Sequence, residues 1–141
     1  MIGQAALFGR EAPVIAHVSI GVRDIDRSKR FYDAVLEPLG YKCLRAARSL
    51  VGYGYGRDSI SLWVVQAERP VPADEKSGLH FCFTAADAAA VDAFHAAALR
   101  AGGNDNCAAG LRPGYRPDYY AAFIIDPDGY RIEAYYGPGE T

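Results

Sequence analysis

The chain is poor in cysteine, has no surplus of either charge and carries no long apolar run. Its three cysteines, Cys43, Cys82 and Cys107, cannot all pair within one chain, which argues against a disulfide scaffold and for a reducing compartment. Fifteen Lys and Arg against seventeen Asp and Glu leave a net charge of −2, so no basic field exists to condense onto nucleic acid or an anionic membrane. The longest largely apolar stretches, such as 60–65 and 121–125, fall far short of the roughly 20 residues a membrane helix needs. The N-terminus lacks a basic cluster followed by an apolar segment, and a cytoplasmic location is expected. No glycine-rich phosphate loop leads into a helix, so nucleotide cofactors are not implied. What is present suits one domain over 1–141: half the residues are hydrophobic, and a chain of this size buries roughly 70% of its unfolded surface.

Period separates the elements. Val14 to Val22 alternates, with Val18, Ile20 and Val22 on one face and His17, Ser19 and Gly21 on the other, as a half-buried strand does. Asp24 or Asp26 then caps a helix whose apolar stripe runs through Phe31, Tyr32, Val35 and Leu36 and stops at Pro38-Leu39-Gly40. Tyr41 to Arg48, Leu50 to Gly56 and Ser59 to Gln66 read as three more strands, with a turn at Gly56-Arg57-Asp58-Ser59. The Pro-rich, charged segment 67–78 is aperiodic and reads as a linker between a first module, 14–66, and a second, 79–136.

The pattern then repeats. Leu79 to Thr84 alternates, Asp87 caps a helix carrying Val91, Phe94, His95 and Ala98, and Gly102-Gly103 ends it. A shift of 63 pairs His17 with His80, Asp24 with Asp87, Phe31 with Phe94, Ala34 with Ala97, Leu36 with Leu99 and Gly40 with Gly103, six identities in 24 ungapped positions. Residues 104–118 read as a short strand and a mobile loop, followed by a hairpin closed by Asp126-Pro127-Asp128-Gly129. The fold class is therefore α+β: two βαβββ modules in a curved mixed sheet, helices outside and the opposite face forming a cup.

On that free face fall His17, His80 and Glu133. Two imidazoles and one carboxylate can hold a divalent metal through three ligands and leave positions open for substrate or water. Singly, each is more commonly an ordinary polar residue on a solvated sheet face.

The segments "HVSIGVRDIDRSKRFYDAVLEPLGY", "HFCFTAADAAAVDAFHAAALRAGG" and "FIIDPDGYRIEAYY" resemble the vicinal oxygen chelate superfamily, which includes glyoxalase I, fosfomycin-modifying thiol transferases, extradiol dioxygenases and bleomycin-resistance proteins. The resemblance spans His17 to Tyr136 and implies that His17, His80 and Glu133 are metal positions, with Glu133 also a candidate base. It implies Lewis-acid chemistry on a small substrate with vicinal oxygens, and a divalent ion that Fe, Mn, Ni, Co or Zn would satisfy. Glyoxalase I adds a fourth ligand from the fourth strand. Here that strand is "SISLWVVQ", with Trp63 at the counterpart and Gln66 and Glu68 at or beyond its end, a departure that argues against lactoylglutathione lyase activity. A homodimer is implied too, in which His17 can complete a site with His80 and Glu133 of the other chain. The competing expectation is a metal-free protein that sequesters a drug or metabolite, similar to bleomycin-resistance proteins.

For the pocket, Tyr53, Tyr55, Trp63, Tyr115, Tyr119 and Tyr135 are candidate walls, and Arg112, Arg116 and Arg131 candidate partners for a substrate anion. Cys82 shares the face of His80 as a soft ligand or reactive thiol, with a small buried filler as the plainer reading. His95, on the apolar stripe of its helix, is expected at the core boundary without a catalytic role.

Overall fold

In the computed structural model, which describes residues 15–57 and 59–138, each half of the chain folds as β-α-β-β-β. The elements are β1 (Val18–Val22), α1 (Ile25–Leu36) with a 3-10 turn at Glu37–Leu39, β2 (Tyr41–Ala46), β3 (Leu50–Tyr55) and β4 (Leu62–Gln66). The second set is β5 (His80–Thr84), α2 (Ala88–Arg100), β6 (Asn104–Leu111), β7 (Tyr120–Ile125) and β8 (Arg131–Tyr136). Residue 14, where the first module is expected to start, and Asp58 of the expected turn lie outside the described residues.

The two sheets share one topology, β1-β4-β3-β2 and β5-β8-β7-β6, with one parallel pair each, β1 with β4 and β5 with β8. That is the repeat seen in the sequence. Asp24 and Asp87 both cap their helices, accepting from the Arg27 and Ala90 amides at 3.1 and 2.8 Å. Phe31 and Phe94 are both wholly buried, each burial contributing roughly 1.5–3 kcal/mol. The match fails at Leu36 and Leu99: the first is wholly buried, the second 46% exposed.

Several elements are shorter or longer than their sequence pattern. β1 begins at Val18 because its ladder with β4 runs only from Val18 opposite Leu62 to Val22 opposite Gln66. His17 therefore sits just ahead of its strand and His80 opens β5, while only Glu133 is mid-strand. β4 begins at Leu62 instead of Ser59, because the chain at Ser59 crosses the face of Gly54 and occupies the space a side chain there would need. β6 is longer than expected and carries two register shifts. The segment after it, expected as a mobile loop, is closed by hydrogen bonds: the Arg112 amide donates to the Tyr119 carbonyl at 2.6 Å, and the Tyr119 amide to the Arg116 carbonyl at 3.1 Å.

Both helices cover the same side of the sheets and touch each other, so one core spans the two halves. A buried polar cluster adds to it. The Asp126 carboxylate accepts from the Asp128 and Tyr130 amides at 2.9 and 2.8 Å and from the Tyr32 hydroxyl of α1 at 2.5 Å. Asp128 accepts from the Arg23 amide and faces Arg27 at 3.2 Å, and the Tyr130 hydroxyl donates to the Gly21 carbonyl of β1 at 2.7 Å. Gly129 has a positive φ of 98°, and a side chain there would overlap the Ala73 carbonyl, so the turn that carries Asp126 requires glycine.

Burial pushes the Asp126 carboxyl up to about 6 from 3.8, against the lowering effect of its three donors. An acid whose folded pKa is raised binds more protons folded than unfolded, so stability increases as pH falls through 6 toward 4. Asp126→Asn keeps an acceptor and loses the titration. The wild type is expected to gain about 1 kcal/mol on this variant between pH 7 and pH 5, read from urea melts at both pH values. A difference independent of pH would contradict the assignment.

Candidate functional site

Register decides which side chains face away from the helices. On β1 and β4, Ser19 pairs with Trp63, and on β3 Gly52 pairs with Trp63, so Ser19, Gly52 and Trp63 share the open face, while His17 lies just ahead of this ladder. On the second sheet, Cys82 and Phe123 both pair with Glu133, so His80, Cys82, Phe123, Arg131, Glu133 and Tyr135 share the equivalent face. The helix side takes the alternate residues, among them Ile132 and Ala134, which are buried.

Two of the three expected ligands meet. His80 Nε2 lies 2.9 Å from Glu133 Oε1, with the His80 side chain 44% exposed and that of Glu133 4%. The other carboxylate oxygen, Glu133 Oε2, accepts from the Tyr119 hydroxyl at 2.6 Å. Burial first, and then the hydrogen bond to Glu133, hold that hydroxyl protonated well above the ordinary phenol range. A neutral donor is thus fixed on one oxygen, and the other points at the imidazole.

His17 is exposed and lines a cleft of about 320 Å³ that also holds His80, Cys82, Tyr41 and Ser61. It is not clustered with the pair, and among the described residues no three His, Cys, Asp or Glu side chains gather at one point. His80 also borders a second pocket, of about 330 Å³, walled by Phe123, Arg131, Tyr115, Leu79 and Asn106, with Asp74 and Glu75 at the linker side. The imidazole lies 5.9 Å from the Phe123 ring, and the Arg112 guanidinium 5.6 Å from the same ring. Tyr119 stacks on Tyr135 with centroids 4.8 Å apart and planes 10° apart.

Other expected wall residues stand elsewhere. Tyr53 is 1% exposed on the helix side, where its hydroxyl donates to Asp33 Oδ1 at 2.8 Å, because the opposite side of β3 is glycine packed against Trp63 and Ile60. Tyr55 is on that same side at the strand end, 68% exposed and edge-on to Tyr41 at 5.7 Å. Neither lines the cup. Cys82 is exposed instead of a buried filler. His95, as expected, lies on the helix side, bonded to Asp105 at 2.8 Å. Phe123 escaped the sequence reading, although a turn over Asp126 to Gly129 that pairs 125 with 131 necessarily puts 123 opposite 133.

The His80 and Glu133 donors fit a divalent ion in chemistry, an imidazole nitrogen and a carboxylate oxygen on one face. They supply two ligands of the three such a centre uses.

Comparison with known proteins bears on the fold and the family. A glyoxalase/bleomycin resistance protein from Albidiferax ferrireducens T118 is 34% identical, with 86% of this chain and 97% of that one covered at a TM-score of 0.73. The fosfomycin resistance protein FosX from Mesorhizobium loti is 19% identical over 91% of this chain and 95% of that one, TM-score 0.65. A V278E mutant of glyoxalase I from Zea mays is 23% identical over 86% of this chain and 45% of that one, TM-score 0.63. The last two show the fold alone. No curated protein matches the sequence. The profile of the Glyoxalase/Bleomycin resistance protein/Dioxygenase superfamily matches residues 14–134, and with the repeated βαβββ halves and the 34% identical relative, it establishes that the chain belongs to that superfamily.

Proposed function

We propose that the chain is a metal-dependent, glyoxalase-like enzyme acting on a small oxygen-bearing metabolite or xenobiotic, by lyase or isomerase, transferase or dioxygenase chemistry. The observation that carries this is the His80 and Glu133 pair, 2.9 Å apart on the open face beside a pocket of about 330 Å³. His80 and Glu133 would hold a divalent ion, with His17 of a second copy as third ligand in a homodimer. Bound there, the ion would supply Lewis-acid polarisation of substrate oxygens. Phe123 and Tyr115 offer apolar walls to the substrate, and Arg131 offers a cation whose Nη1 is anchored to the Gly129 carbonyl at 2.8 Å. Glu133 is also the candidate base. Exposed thiols at Cys82 and Cys107, outside any disulfide, fit a cytoplasmic setting.

The test is metal content by plasma mass spectrometry, on protein purified without a histidine tag or chelator. About one Fe, Mn, Ni, Co or Zn ion per chain is expected, and its loss in His80→Ala. Metal retained in His80→Ala contradicts the ligand assignment. Little metal after reconstitution with each ion favours the other reading, a metal-free protein of the bleomycin-resistance type that binds its ligand between the aromatic walls.

A further inference from the structure

We infer that Tyr119 is a positioning residue that determines which oxygen Glu133 presents to a metal, an inference that rests on the metal reading above. The carboxylate is buried and its two oxygens have separate tasks: Oε2 takes the Tyr119 hydroxyl at 2.6 Å, and Oε1 faces His80 Nε2 at 2.9 Å. With Oε2 held by a donor, Glu133 offers one oxygen only. A metal ligated there meets a monodentate carboxylate, and a bidentate one requires the tyrosine bond to break.

Three further contacts fix the hydroxyl in space. The Tyr119 ring stacks on Tyr135 at 4.8 Å, receives Tyr115 edge-on at 5.1 Å and lies 5.3 Å from the Arg116 guanidinium. Arg116 is itself anchored, its Nε donating to Asp118 at 3.2 Å, and it fills space that Gly137 leaves open for lack of a side chain. A lone surface tyrosine loses rotamer freedom when it holds a carboxylate, and here that cost is already met by the stack. Partners of this kind orient metal ligands, and their loss typically costs about 10–100-fold in metal affinity.

Tyr119→Phe keeps the stack and the cation contact and removes only the hydroxyl. The control is Tyr53→Phe, which deletes a similar tyrosine-to-carboxylate bond, 2.8 Å to Asp33, on the helix side of the other half. Both are titrated with Co(II) against a chromophoric chelator, and the visible spectrum of the bound ion is recorded. Tyr119→Phe is expected to bind Co(II) about 10–100-fold more weakly than wild type, with altered d–d bands, while Tyr53→Phe matches wild type in both. Wild-type affinity and spectrum in Tyr119→Phe would overturn the inference alone, as would equal losses in the two variants, which would trace the effect to general destabilisation. A wild type that binds no Co(II) would overturn the metal reading and this inference with it.

Discussion

Phe31→Ala is expected to lower the unfolding free energy by about 3–5 kcal/mol, the usual range for emptying a fully buried phenylalanine site. Phe31 is 0% exposed, and its ring stands edge-on to Tyr32 with centroids 5.1 Å apart. It also reaches the other half of the chain: a Cβ built on Gly103 would lie 2.6 Å from Phe31 Cε2. The space lost is therefore bounded by both halves of the chain and cannot close by a shift of one helix. For a chain near this size each kcal/mol moves the melting temperature by about 2–4 °C, so a drop on the order of 10 °C is expected in calorimetry. Leu99→Ala, at the repeat mate of Leu36 but 46% exposed, is expected to cost under about 1 kcal/mol. A Phe31→Ala loss as small as that would contradict a core shared between the halves.

Glu133→Ala is expected to weaken metal binding by more than about 100-fold, beyond the range for changes to residues that merely support a ligand. The substitution removes the oxygen that faces His80 and also the acceptor of the Tyr119 hydroxyl, so the two polar neighbours lose their common partner at once. Arg131→Gln, two residues away and on the same side of β8, is expected to leave metal affinity unchanged, because the Arg131 guanidinium is held by the Gly129 carbonyl and is no metal ligand. Titration of both variants with the metal found in the purified protein checks this. Wild-type affinity in Glu133→Ala would contradict the site.

Much of the fold was legible because its signals are local. The Asp24 and Asp87 caps, the buried Phe31 and Phe94 and the turn before β8 depend on residues within a few positions of each other, and each appears as expected. Face assignment on β3 was not legible. In "LVGYGY" both alternating sets are apolar or glycine, and only the pairing of Gly52 with Trp63 and of Tyr53 with Leu62, set across strands, sends Tyr53 to the helix side. The site divides in the same way. Glu133 beside His80 follows from strand parity and the parallel pairing of β5 with β8, both inferable from the repeat. Tyr119 on Glu133 does not, since it depends on how the loop from Arg112 to Tyr119 closes on itself. Nor could periodicity place His17, which lies ahead of β1, beyond the ladder that fixes its neighbours.

The most direct test of a centre built from His80, Glu133 and a second copy's His17 is complementation. His17→Ala and Glu133→Ala chains are unfolded together, refolded as a mixture and assayed for bound metal. If each site draws its ligands from two copies, about half the dimers are mixed and each of these has one intact site of two, so the mixture should hold about a quarter of the wild-type metal while either variant alone holds almost none. A mixture that holds no more metal than the separate variants would contradict the account.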